Sequence, residues 1–201
     1  MLTVLLKGRD GILLLNLPNF LTLIRIASIP FFLVLLSAQL YWESFIVFII
    51  GGLTDFLDGL VARLMNQQTA IGAYLDPVAD KLLVMSSFVM LGLADALPAW
   101  IAVIVVSRDI LILVGYGIIY LLLDERPKVE PSIIGKLSTL LQLVTVGAIL
   151  LLLANPQMLD LLVKDLLIGA MAVATVWSGL QYLYRGLMWL QNRGPSLSQL
   201  G

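Results

Sequence analysis

Cysteine and histidine are both absent from this chain of 201 residues, and charged residues are scarce, at 12%. Without cysteine there are no disulfides and no thiolate metal ligands. With no histidine either, any metal site must use oxygen donors, which suit hard cations such as Mg²⁺, Mn²⁺ or Ca²⁺. An ordinary soluble domain carries about 25% charged and about 45–50% apolar residues. Here hydrophobic residues reach 60%, more apolar surface than one water-soluble core of this length can hide. A bilayer can hide it. The net charge of −1 gives no footing for a nucleic-acid partner.

A membrane-spanning helix needs about 20 predominantly apolar residues. Six segments reach that length: Asn19–Ala38, Tyr41–Met65, Gly72–Leu93, Pro98–Leu123, Ser132–Ala154 and Leu161–Gln191. The connections between them are short and carry breakers or polar residues. Residues 1–16 begin with an apolar run that Lys7, Arg9 and Asp10 interrupt, and no small-residue cleavage site follows. They read as an interfacial amphipathic helix rather than a signal peptide. No internal repeat divides the chain. The fold class expected is therefore an all-α integral membrane protein: a single domain over residues 1–201, with a six-helix bundle over 19–191.

Lysine and arginine set the orientation. With six spans, Lys7, Arg9, Arg63, Arg126, Lys128, Arg185 and Arg193 all fall on one side, while the opposite loops offer only Lys164. Both termini are expected in the cytoplasm.

Charges inside the spans carry the most information. Asp55 and Asp58 sit in the last turns of the second span, Asp76 and Asp80 in the first turns of the third. Spacings of three and four place each pair on one helix face. Antiparallel helices joined by a short loop bring all four carboxylates to a similar depth near the cytoplasmic side. An ionised Asp at a helix centre costs roughly 2.5–3.5 kcal/mol, less toward the ends, and four together repel one another. A divalent cation reverses both penalties. Interfacial solubility explains one such Asp, but not four beside Arg63. An ion or proton pathway would string acids across the membrane and often shows repeat symmetry; here the acids share one depth.

Residues 55–80 read Asp55-Phe-Leu-Asp58-Gly59-Leu-Val-Ala62-Arg63, eight residues, Gly72, three residues, Asp76, three residues, Asp80. This resembles the complete signature of the CDP-alcohol phosphatidyltransferase family, with all eight defining positions filled. The segment Asn16-Leu-Pro-Asn19-Phe-Leu-Thr22-Leu-Ile-Arg25 and the six-helix plan extend the likeness over most of the chain. The resemblance implies that Asp55, Asp58, Asp76 and Asp80 hold Mg²⁺ or Mn²⁺, two ions per site, with Asp80 also the general base. It implies that Asp58, Gly59, Ala62, Arg63 and Gly72, joined by Asn19 and Thr22, bind the CDP portion of CDP-diacylglycerol. It further implies a homodimer in a bacterial cytoplasmic (inner) membrane, working among membrane lipids, with its site open to the cytoplasm.

The acceptor alcohol is expected among the remaining intramembrane cations, Arg25, Lys81, Arg108 and Lys136, a set suited to a phosphate-bearing molecule. Snorkelling explains Arg25 and Lys136 equally well. Arg108 is mid-helix; Asp109 beside it offers a counter-charge, although adjacent helical positions do not face each other well. The Gly135-Lys136 pair followed by Gln142 resembles members that use glycerol 3-phosphate. Those commonly carry Ala-Arg-Glu where this chain has Ser107-Arg108-Asp109, a form more similar to the cardiolipin-forming members, whose acceptor is phosphatidylglycerol. Both acceptors present a phosphate, so the basic residues alone do not separate them.

Overall fold

The computed structural model describes the backbone of residues 17–65, 72–123 and 132–193, and side chains over 24, 26–54, 81–115, 132–188 and 191. The interfacial helix expected over residues 1–16 lies outside these. The described residues form six helices: α1 (Leu17–Ser37), α2 (Tyr41–Met65), α3 (Gly72–Leu93), α4 (Ala99–Leu123), α5 (Ile133–Ala154) and α6 (Leu161–Arg193). Their bounds follow the apolar runs to within two residues at each end. Pro30 lies inside α1; its missing donor is tolerated where neighbouring helices support the turn. Ser132 starts α5 as an N-cap, its hydroxyl accepting from the Gly135 amide at 3.0 Å.

Two turns at one end of the bundle are alike. Beyond α1, the Leu40 amide donates to the Leu35 carbonyl and the Gln39 amide to Leu36; beyond α3, Ala96 donates to Leu91 and Asp95 to Gly92. This double bond is the Schellman arrangement, which needs a left-handed residue after the helix. Gln39 (φ 60°) and Asp95 (φ 54°) fill that position here. Tight reversals of this kind send α2 and α4 straight back along α1 and α3.

Helix α1 packs on α2 and α3, α2 on α5, α3 on α4, and α6 on both α4 and α5, closing a ring that α3 and α5 touch across. Inside it the side chains segregate by height. Phe32, Leu36, Phe48, Phe88, Leu91, Ile101, Val105, Ile149 and Leu150 make a buried apolar core. Each lies within about seven residues, roughly 10 Å of helix, of the end where α1 turns into α2. Farther from that end lie the buried charges Arg108 and Asp109 and the buried polar residues Ser138, Gln142, Thr175 and Ser178.

The outer faces are apolar instead, as at Phe31, Val34, Val103, Leu140, Leu166 and Val173 (69% exposed). Helices α5, over Ile133–Ala154, and α6, over Leu161–Met188, are long and apolar enough to cross a membrane. Buried hydroxyls that face no polar neighbour turn back onto their own helix, as Ser44 to Leu40, Ser87 to Leu83 and Thr145 to Leu141, which satisfies them without water.

A left-handed conformation costs a non-glycine residue about 1–2 kcal/mol, least for Asp and Asn. Gln39→Gly should raise stability by about 0.5–1 kcal/mol after the entropy glycine loses is subtracted, and Asp95→Gly by less. Thermal unfolding of the purified variants checks this; a lower midpoint for Gln39→Gly would contradict the turn geometry.

Candidate active site

The acid pairs ride on α2 and α3, which both pack on α1 and approach each other through one side chain just below the acids. A Cβ built on Gly51 of α2 would lie 3.3 Å from Cδ2 of Leu83 on α3, so the two helices meet here closely enough to favour glycine. Asp55 and Asp58 follow Gly51 by four and seven positions, and Asp80 and Asp76 precede Leu83 by three and seven. Each pair therefore shares a helical face with its contact residue. Because the helices are antiparallel, both pairs climb away from the contact in the same direction. Counted along the helices, Asp55 stands about 21 Å from the start of α2 and Asp80 about 20 Å from the end of α3, while Asp58 and Asp76 both stand at about 26 Å. The backbone thus brings the four acid positions to two matched levels, with Gly51 and Leu83 as the floor. The side chains of Asn19, Thr22, Arg25, Asp55, Asp58, Gly59, Ala62, Arg63, Gly72, Asp76 and Asp80 lie outside the described residues; α1, α2 and α3 carry these positions.

Lys81, next to Asp80, reaches across to α4. Its ammonium donates to Oδ1 of Asp109 at 3.0 Å, and the same oxygen receives Arg108 Nη1 at 2.5 Å. Asp109 is wholly buried and Arg108 only 6% exposed. The other terminal nitrogen of Arg108 donates to Ser178 of α6 at 2.8 Å, and its guanidinium lies over the Tyr182 ring, 5.8 Å from the centroid. The absence of a side chain at Gly179 makes room: a Cβ there would touch Arg108 Cγ at 3.5 Å. One carboxylate therefore gathers two cations from α3 and α4, and one of them carries the linkage on to α6. Arg108 Nε and Asp109 Oδ2 have no partner among the described residues.

Above this lies a polar seam between α5 and α6. Ser138 and Thr175 share a hydrogen bond of 3.1 Å, and the Gln142 amide donates to the same Thr175 oxygen at 3.1 Å. Gly135 lets the helices close, since a Cβ there would meet the Tyr182 hydroxyl at 3.1 Å. Lys136, one residue on, is exposed.

Of the four expected acceptor cations, then, Lys81 and Arg108 are brought together on Asp109. Lys136 stands at the seam's outer edge on α5, and Arg25 rides on α1. Asp109 does serve Arg108 as counter-charge, although adjacent helical positions do not face each other well: burial leaves the long guanidinium no water, and it curls back to the nearest carboxylate. Of the polar residues along α5 and α6, the sequence singled out Gln142 and passed over Ser138, Thr175 and Ser178. The seam's signal is polar residues at spacings of three and four inside apolar spans.

Comparison with known proteins gives a consistent result. The model of the CDP-alcohol phosphatidyltransferase family matches residues 15–180. The chain is 35% identical to the CDP-diacylglycerol–glycerol-3-phosphate 3-phosphatidyltransferase of Bacillus subtilis, over 83% of this chain and 93% of the relative. It is 36% identical to the enzyme of the same name from Haemophilus influenzae, over 84% and 91%. A probable phosphatidylglycerophosphate synthase of Mycobacterium tuberculosis is 32% identical, over 86% and 82%.

The floor contact makes a separable prediction. Gly51→Val presses branched carbons onto buried Leu83, and overpacking costs about 1–3 kcal/mol. Gly52, with nothing within 4 Å of its built Cβ, serves as control. Thermal unfolding should show Gly51→Val lowered by roughly 2–10 °C and Gly52→Val unchanged; equal effects would remove the contact from the account.

Proposed function

The chain belongs to the CDP-alcohol phosphatidyltransferase family, and from that premise we propose that it transfers a phosphatidyl group from CDP-diacylglycerol to glycerol 3-phosphate, releasing CMP and phosphatidylglycerophosphate. The observation that carries this reading is the acid signature, complete on two antiparallel helices whose facing sides meet at Gly51 and Leu83. The names of the relatives supply the acceptor. All six helices cross a bacterial cytoplasmic membrane, both termini lie in the cytoplasm, residues 1–16 lie in the interface, and the enzyme works as a homodimer within one domain. The apolar outer faces support the spanning reading. So do Trp42 and Trp100, at the starts of α2 and α4 on the turn-bearing end, where an interfacial aromatic belt is expected.

Four carboxylates in a chain without histidine or cysteine fit hard divalent cations, Mg²⁺ or Mn²⁺, held by Asp55, Asp58, Asp76 and Asp80. When bound, such ions neutralise the diphosphate and the departing CMP. The protein supplies the remainder. Small residues Gly59, Ala62 and Gly72, with Asn19, Thr22 and Asp58, let the CDP portion lie against the backbone, and Arg63 supplies positive charge for its phosphates. Asp80 takes the proton from the acceptor hydroxyl as that oxygen bonds to the phosphorus bearing the lipid. The bond from that phosphorus to the CMP oxygen then breaks. Arg25, Lys81, Arg108 and Lys136 surround the acceptor with positive charge, which suits its phosphate. Lys136, exposed on α5, is the most accessible of those with described side chains.

One observation favours a second acceptor: the Ser107-Arg108-Asp109 sequence resembles members that use phosphatidylglycerol. The purified enzyme with CDP-diacylglycerol and Mg²⁺ should release CMP with glycerol 3-phosphate and not with phosphatidylglycerol; the reverse would reassign the acceptor, and release with no alcohol would sink the enzyme reading. Asp80→Asn should lower turnover by about 10²–10⁴-fold while CDP-diacylglycerol still binds. Chelating divalent cations should abolish CMP release, and adding Mg²⁺ or Mn²⁺ back should restore it.

A further inference from the structure

The buried carboxylate of Asp109 has no place in the chemistry described so far, yet it is the point where α3, α4 and α6 converge. Building on the reading of Asp80 as the base, we propose that Asp109 is a positioning residue: through Lys81 it holds the turn of α3 that carries Asp80 at the level of the α2 acids.

The argument is one of rotation and height. Successive helical residues point about 100° apart, so Asp80 and Lys81 belong to different sides of α3. The Asp80 side is the one that meets α2, through Leu83 against Gly51. The Lys81 side faces α4, where its ammonium lies 3.0 Å from Asp109. Apolar contact at Leu83 resists approach but tolerates sliding, since dispersion has little direction. A charge-assisted hydrogen bond has both direction and length, and this one ends on a fully buried carboxylate although Lys81 itself is part-exposed, so the Lys81–Asp109 pair fixes α3 about and along its axis.

Asp109 in turn does not drift, because its Oδ1 also receives Arg108, and Arg108 is tied to Ser178 and stacked on Tyr182 of α6. The anchor thus runs from α6 through Arg108 and Asp109 to Lys81, one residue from the base. Asp109 is fully buried and bonded to two cations of the chain, which sets it apart from groups that touch substrate.

Steady-state kinetics of CMP release, with glycerol 3-phosphate and CDP-diacylglycerol varied separately, test this on Asp109→Asn and Asp109→Glu. Loss of the anchor should lower kcat of Asp109→Asn at saturating acceptor by about 100-fold, the scale of a 1 Å misplacement, with the KM for CDP-diacylglycerol within about threefold of the parent. Asp109→Glu, which keeps the carboxylate, should recover most of the rate. A raised KM for the acceptor at unchanged kcat would make Asp109 part of acceptor binding and overturn the proposal. A lowered melting temperature with unchanged kcat per folded molecule would also overturn it, by reducing the residue to a structural pin. Should Asp109→Asn not fold, Lys81→Met leaves Asp109 paired with Arg108; its kcat at saturating acceptor should fall likewise, and an unaffected kcat overturns the proposal. Inactivity of the parent protein with every alcohol counts against the functional reading, whereas these variants bear on the anchor.

Discussion

A charge taken out of water must find its counter-charge inside the protein, and in a bundle this apolar there are few places to find one. Asp109 answers that demand for Lys81 and Arg108 together. Removing the carboxylate from such a set costs about 3–5 kcal/mol where it leaves a charge buried and uncompensated, as at Arg108, which is 6% exposed. The same demand explains why Arg108 stacks on Tyr182 and bonds Ser178, and why Gly179 has no side chain where the arginine stem passes. Polar contacts across helices average only about 0.6 kcal/mol each in membranes. Their value here lies in direction: they choose which helix faces meet.

Around that demand the bundle sorts itself into two halves. Near the end with the tight reversals, phenylalanine, leucine, isoleucine and valine interlock and no charge is buried. Farther along, polar and charged groups replace them, and the acid positions of α2 and α3 belong to that half. Gly51 and Leu83 mark the boundary on the site's side. The acids are therefore set on a rigid apolar base rather than on loops, which suits chemistry that depends on exact placement.

Much of this was legible in the sequence because lipid simplifies the code. Span length, the polar breaks and the breakers located all six helices to within two residues, and spacings of three and four assigned each acid pair to one face. What escaped was whatever depended on three-dimensional proximity. Lys81, Asp109 and Ser178 belong to different helices, and no periodicity pairs residue 81 with 109 or 108 with 178. The Arg108–Asp109 contact ran against the ordinary rule for helical neighbours, since burial changes which partner a long side chain can reach. Gln39 and Asp95 were hidden for another reason: glycine advertises a left-handed turn, and these residues do not.

The apolar half has an electrical meaning as well. In the spanning arrangement proposed, it is an insulating layer roughly 10 Å thick between the acid site and the far side of the membrane. The membrane potential falls mainly across such a low-dielectric layer, leaving the site close to the potential of the cytoplasm. Anionic substrates and their cations then move through little of the field on binding, and turnover should be nearly indifferent to the voltage across the membrane in which the enzyme sits.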